Sequence, residues 1–314
     1  MGKKCYSLIN YYDFLRRQSQ FGYILIALIA CFLWIGLTAN KPVRPRSNYK
    51  AKKTALINSL AINIPTVCGT VTHLSACATS MVLNAEPNQP NYTWSTGANT
   101  SSITVTSSGS YWWETIDMTN NAVANGSFTN GNTGFTSAYT YVTPTGNTGA
   151  NGALTREAYY SVTTNPSITH NNFASFTDHT GNTNGNMMVV NGAPTTGVTI
   201  WTQSITVTPN TDYIFSVWFT SVHPDNPGKL NFSINGVPLG TPILLTSGTP
   251  DWKNFTVRWT SGNNTAATIG IVNQNTATSG NDFALDDIVF APVCRNYFDV
   301  NLYSNPPKPS ITPL

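Results

Sequence analysis

Apolar and polar residues alternate with a period of two over much of the chain, the spacing of strands whose successive side chains face opposite ways. Strands are expected near 187–191, 199–207, 212–220, 229–235, 254–260, 267–273 and 283–290. Turn residues punctuate them, among them Pro209-Asn210, Asn226-Pro227-Gly228, Asn235-Gly236, Ser261-Gly262 and Ser279-Gly280. Shorter strands read out earlier, at 81–85, 92–97, 102–106 and 109–116. In 212–220, Tyr213, Phe215, Val217 and Phe219 share one face and Ile214, Ser216, Trp218 and Thr220 the other. The uniformly apolar face is the core face, which leaves Trp218 standing among hydroxyls. By the same alternation Phe255, Val257 and Trp259 point inward and Arg258 outward. Trp201 and Trp252 read as packing at strand edges.

One segment breaks the pattern. Residues 21–39 carry no charge, and as a helix rising about 1.5 Å per residue they nearly span a hydrocarbon core. This N-terminal apolar helix is either a signal peptide or a signal anchor, closing at 39. A basic, Pro-containing linker follows over 40–61, then a small β-sandwich over 62–118 and a larger one over 119–294, with a Pro-rich linker over 295–314. The fold class is all-β, and the strand count of the larger part suits a jelly roll of two sheets.

Composition narrows the partners. Charged residues make up 9% of the 314, and Thr, Asn, Ser and Gly fill the polar positions, as in exported β-sandwiches. The basic charge is concentrated at the start: residues 1–53 hold ten Lys/Arg and one Asp, whereas 54–314 hold six Lys/Arg and twelve Asp/Glu. The acidic remainder excludes a nucleic-acid partner, and the apolar segment gives export to the cell surface or the extracellular space. Of five cysteines, Cys68, Cys77 and Cys294 lie outside the leader. No CxxC pair suggests zinc. Three outer cysteines allow one disulfide and one spare thiol, with the pairing open.

The closing strand carries the candidate chemistry. Phe283, Leu285, Ile288 and Phe290 anchor it, with Asp286 and Asp287 adjacent in its middle. Either one aspartate faces inward or the strand bulges there. A buried carboxylate requires a partner or a cation, few Lys or Arg are near in sequence, and a hard cation such as Ca²⁺ answers the need. No histidine or Ser/Cys nucleophile sits in a catalytic motif. Asp178 and Asp286 could be read as the carboxylate pair of a glycosidase, but a cation site explains them better, and no enzyme activity is expected.

Several of these stretches also carry a family resemblance. Asn281 to Phe290 (NDFALDDIVF) resembles the last strand of a CenC-like carbohydrate-binding module, a galactose-binding-like jelly roll. Asn125-Gly126-Ser127-Phe128-Thr129-Asn130-Gly131 resembles its opening. The stretch 201–218 resembles that family's central strand pair, and 178–181 followed by 185–192 is similar to the version in Bacteroidetes-type surface proteins. Residues 92–111 resemble an Ig-like repeat of bacterial surface proteins, lacking its closing Gly-Cys. The resemblance implies a structural Ca²⁺ held by Asn125, Ser127, Asp178 and Asp286, weakened because Ser127 and Thr129 stand where acidic residues are usual. It implies a glycan or polysaccharide as partner, for which the alternation offers a platform of Trp218 and Arg258, with Tyr139 and Tyr141 from the opening loop. A non-catalytic adhesion protein follows as the expected function. A ligand-free spacer of a large adhesin and an ancillary module of a secreted hydrolase are the alternatives.

Overall fold

The computed structural model describes residues 68–303; the apolar segment 21–39 and the basic stretch 40–61 lie outside the described residues. Apart from two three-residue 3₁₀ turns, Met118–Asn120 and Pro166–Ile168, every described element is a strand. The chain is all-β, as the alternation predicts. Among the described residues no helix is long and apolar enough to cross a membrane. The chain forms two compact units.

The first unit takes the described parts of 1–88, 92–113 and 296–314. It holds β1 (Val71–Ala76), β2 (Met81–Asn84), β3 (Thr93–Trp94), β4 (Ser102–Val105) and most of β5 (Gly109–Ile116). β2 and β4 pair antiparallel, and β1 runs parallel to residues 297–302. Leu83, Trp94, Val105, Trp113 and Val300 form the buried core. Trp94 stacks on Phe298 and donates its Nε1–H to Thr100 O at 2.7 Å. Of the two adjacent tryptophans Trp113 is the buried one, as alternation requires.

The second unit covers 89–91 and 114–295. Its strands are β6 (Thr140–Tyr141), β7 (Tyr159–Thr163), β8 (Met187–Asn191), β9 (Thr199–Thr206), β10 (Asp212–Ser221), β11 (Lys229–Ile234), β12 (Val237–Leu244), β13 (Lys253–Thr260), β14 (Ala266–Asn273) and β15 (Asp282–Leu302), whose end belongs to the first unit. One sheet runs β13–β10–β15–β8–β7–β6 and the other β12–β11–β14–β9. Between them lies a continuous apolar core. Tyr213, Phe215, Val217 and Phe219 of β10 meet Leu230, Phe232 and Ile234 of β11 and Ile269 and Ile271 of β14. Phe215 and Phe232 approach to 4.5 Å between ring centroids. Burying a side chain of this size contributes about 1.5–3 kcal/mol, so this face fixes the register of the sandwich.

Two expectations need correction. Residues 295–302 are not linker: β15 continues to Leu302, with Phe298, Val300 and Leu302 packed in the first core. Their alternation was hidden by the proline run that begins at Pro306. Trp201 packs in the heart of the core at 0% exposure rather than at a strand edge.

Candidate functional site

The site begins with a bulge. Across the β10–β15 pair Ser216 faces Val289, but Trp218 faces Asp286, so two residues of β15 oppose Val217 alone. Asp287 takes a left-handed backbone at φ 42°, and the bulge turns both carboxylates of the Asp286-Asp287 pair toward one place. That place is occupied by His179. Its Nδ1 lies 2.8 Å from Asp287 Oδ2 and 3.5 Å from Asp286 Oδ2, and its backbone N–H donates to Asp286 Oδ2 at 3.2 Å. Although so close to the carboxylates, Nδ1 makes no aligned hydrogen bond. The three side chains bring ligand atoms within 4.8 Å of one another.

The electrostatics of this cluster favour an added positive charge. Asp286 is 1% exposed. Burial first, then the charge of Asp287 and more weakly that of Asp178, push its carboxyl up to about 8, against the backbone N–H groups of Asp287 and His179. Burial also raises Asp287, with His179 opposing and Asp178 adding to the rise. Asp178 is held by its own turn, where Oδ1 accepts from Thr180 Oγ1 at 2.8 Å and Asn182 N–H at 2.7 Å. Gly185 is required there, because a Cβ on it would fall 1.7 Å from Asp178 Oδ2.

Of the expected ligand residues, Asp286 lies with Asp287 and His179, whereas Asp178 acts on the two carboxyls through its charge without joining the converging ligand atoms. Asn125 supplies no free side-chain ligand: its Nδ2 donates to Gly131 O and Thr133 O, and its Oδ1 accepts from Asn130 N–H at 2.9 Å. Its side chain builds the turn of its own loop instead. Ser127 Oγ pairs with Thr129 Oγ1 at 2.9 Å. The loop is tied to the closing strand by Ile288 N–H, which donates to Gly126 O at 3.0 Å.

Beside the cluster, the outer face of β10, β13 and β15 forms an open groove of about 890 Å³. Ser216, Trp218, Asn254, Thr256 and Asp287 line its floor, and Asn121, Ser127 and Asn130 are among the residues of its wall. Trp218 stands on the hydroxyl-bearing face as the alternation predicts. His179 stacks on one face of its ring, with centroids 4.4 Å apart and planes 12° from parallel. Asn254 Nδ2 donates to Ser216 Oγ at 2.9 Å across the floor.

The other three platform residues lie elsewhere. Arg258 is committed to carboxylates, bonding Asp212 Oδ2 at 2.9 Å and Glu114 Oε1. Glu114, which alternation had placed on no site, is buried and also bonded by Arg295. Tyr139 is a core residue, 4% exposed, and its hydroxyl oxygen accepts from Ala193 N–H. Tyr141 is exposed on β6, at the edge of the sheet opposite β13, against Tyr160. His179 and Asp287 were missed as site residues. His179 is brought in over 107 positions of sequence, so no local spacing marks it. For Asp287 the adjacent Asp-Asp pair and the possible bulge were the available signal.

No family model and no curated protein matches the chain. Among solved structures it is similar to a Family 16 carbohydrate-binding module, at 16% identity over 55% of this chain and 99% of that one, with a TM-score of 0.35. A xylan-binding CBM22 domain from Paenibacillus barcinonensis is similar at 13% identity, covering 42% and 80%, with a TM-score of 0.31. The sugar-binding C-terminal domain of EclA is similar at 18% identity over 29% of this chain and 66% of that one, with a TM-score of 0.27.

Proposed function

We propose that the second unit is a non-catalytic carbohydrate-binding module, presented outside the cell as part of an adhesive surface or secreted protein. The observation that carries this reading is the placement of Trp218 in a groove floored by Ser216, Asn254 and Thr256. A pyranose offers an apolar face to an indole ring and hydroxyls to amide and hydroxyl side chains. With His179 on one face of the indole, the sugar stacks on the other. A ligand-free spacer would present only Thr and Ser on this face. Hydrolysis of a glycoside uses two facing carboxylates, whereas Asp287 is the single carboxylate among the described residues of the groove. A disulfide among Cys68, Cys77 and Cys294 suits an oxidising, extracytoplasmic location.

In this reading a divalent cation, Ca²⁺ as first expected, is held by Asp286 and Asp287 with Asp178 nearby. It neutralises the carboxylates and fixes the bulge behind Trp218. His179 adds an imidazole nitrogen to an otherwise all-oxygen donor set, and its ring buttresses the platform. Affinity electrophoresis of the full chain in gels containing soluble polysaccharides (xylan, mixed-linkage glucan, mannan, galactan) tests the proposal. Retardation by at least one of them, lost in Trp218→Ala and kept in Tyr141→Ala, is the expected result. Mobility that no polysaccharide alters, or equal retardation of Trp218→Ala, would refute it.

A further inference from the structure

A second set of oxygens on β15 lacks partners. Asp282 and Asn191 face each other across β15 and β8, and Asn191 faces Tyr159 of β7. Side chains directly opposite in a sheet share a face. Ala158 N–H donates to Asn191 O at 3.0 Å, so Glu157 directly precedes the residue bonded to Asn191, and its charge acts on Asp282. Within this group Glu157 Oε2, Asn191 Oδ1 and Asp282 Oδ1 are buried and accept no hydrogen bond. Asn191 and Asp282 are each 6% exposed. The amide of Asn191 cannot be turned round to cure this, because its Nδ2 donates to Leu154 O at 2.7 Å. The adjoining Asn281, at 0% exposure, also leaves Oδ1 unpartnered while its Nδ2 donates to Ala193 O at 3.3 Å. None of the ion pairs among the described residues involves Glu157 or Asp282.

Unsatisfied buried acceptors are rare in folded proteins, and each calls for an explanation. A donor would cure one of them. Three such oxygens on neighbouring positions, two of them from carboxylates, call for a charge that attracts them all. From this we propose that Glu157, Asn191 and Asp282 form a second Ca²⁺ site, which clamps the residue before β7 to β8 and β15. The donors are all oxygen, carboxylate and amide carbonyl, the set a hard cation takes, with water completing the shell through the half-buried side of Glu157. Burial pushes Asp282 up to about 8, with the like charge of Glu157 adding and the Gly192 N–H opposing, and burial alone pushes Glu157 up to about 7. Bound Ca²⁺ would return both to the ionised state. The site is separate from the Asp286 cluster: four residue steps of strand, about 13 Å, separate Asp282 from Asp286.

Equilibrium dialysis of the full chain against Ca²⁺ at millimolar concentration counts the sites, and thermal unfolding in Ca²⁺ and in chelator reads their effect. Glu157→Gln and Asp282→Asn should each bind one equivalent fewer than the unmodified chain, and Asp287→Asn should keep that equivalent. In chelator the two variants should melt no lower than the unmodified chain, because each relieves like-charge repulsion; a merely structural role would lower both. Glu157 is half-exposed, so its variant keeps the test decisive if Asp282→Asn does not fold. Ca²⁺ stoichiometry unchanged in both variants, or no Ca²⁺ bound by the unmodified chain, would overturn the proposal. The first outcome leaves the Asp286 cation standing; a loss confined to Asp287→Asn marks that site alone.

Discussion

Raising the pH in the presence of chelator should destabilise this protein across the range in which most proteins are at their most stable. Asp282 and Asp286 are raised from 3.8 to about 8, in each case chiefly by burial. A carboxyl whose folded value exceeds its unfolded one keeps its proton in the native state after the unfolded chain has lost it. Between about pH 4 and pH 8 the native state therefore binds more protons, and stability falls as pH rises, with the loss complete above about 8. Each such group contributes a slope of about 1.4 kcal/mol per pH unit. Two of them from pH 5 to pH 7 set an upper bound of about 5 kcal/mol, and relaxation of the buried sites brings the expected loss to roughly 2–5 kcal/mol. Such a loss is a large part of a domain's usual margin of about 5–15 kcal/mol. Urea unfolding in chelator at pH 5, 6, 7 and 8, followed by tryptophan emission, measures it. Repeating the series in Ca²⁺ should flatten the slope, because a cation substitutes for the proton. Stability that is level or rises with pH in chelator would show that the carboxylates ionise in the fold without penalty, and the electrostatic case for cations would fail.

Other substitutions test the frame that holds the site. Gly126→Ala places a Cβ 2.1 Å from Ile288 O; thermal unfolding should show a loss of about 2–4 kcal/mol as the loop parts from the bulge. Removing the Glu114 carboxylate with Glu114→Ala leaves Arg258 and Arg295 without their shared partner, and since both guanidiniums are over a third exposed the cost by denaturant titration should be about 2 kcal/mol, below that of a fully buried pair. Trp201→Ala empties a fully buried core position and should cost about 3–5 kcal/mol in the same assay.

What the sequence showed in advance follows from the range of each interaction. Strands with one core face announce themselves by alternation, and β8 to β11, β13, β14 and the first part of β15 fall within a residue or so of their expected bounds. β12 does not alternate: its sequence VPLGTPIL carries two prolines and a glycine, and it runs along the sheet edge, largely exposed. Trp218 was legible because the face opposite it is uniformly apolar. Arg258 was placed on the correct face, but the carboxylate of Glu114, 144 positions away, claims it. Tyr139 failed for a related reason. A tyrosine in a loop reads as exposed until a distant backbone group, here Ala193 N–H, gives its hydroxyl a buried partner. The Asp286-Asp287 pair signalled a charge problem without naming its solution, since His179 reaches it only through the folded sheet.

The central claim is that Trp218 is a sugar platform, and calorimetric titration tests it most directly. The full chain would be titrated in Ca²⁺ with an oligosaccharide cut from whichever polysaccharide retards it in the gel, alongside Trp218→Ala and Asn254→Ala. The account predicts saturable heat for the unmodified chain, no measurable binding for Trp218→Ala, and weakening of about tenfold, near 1.4 kcal/mol, for Asn254→Ala. Undiminished affinity in Trp218→Ala would contradict it and place any sugar site elsewhere on the molecule.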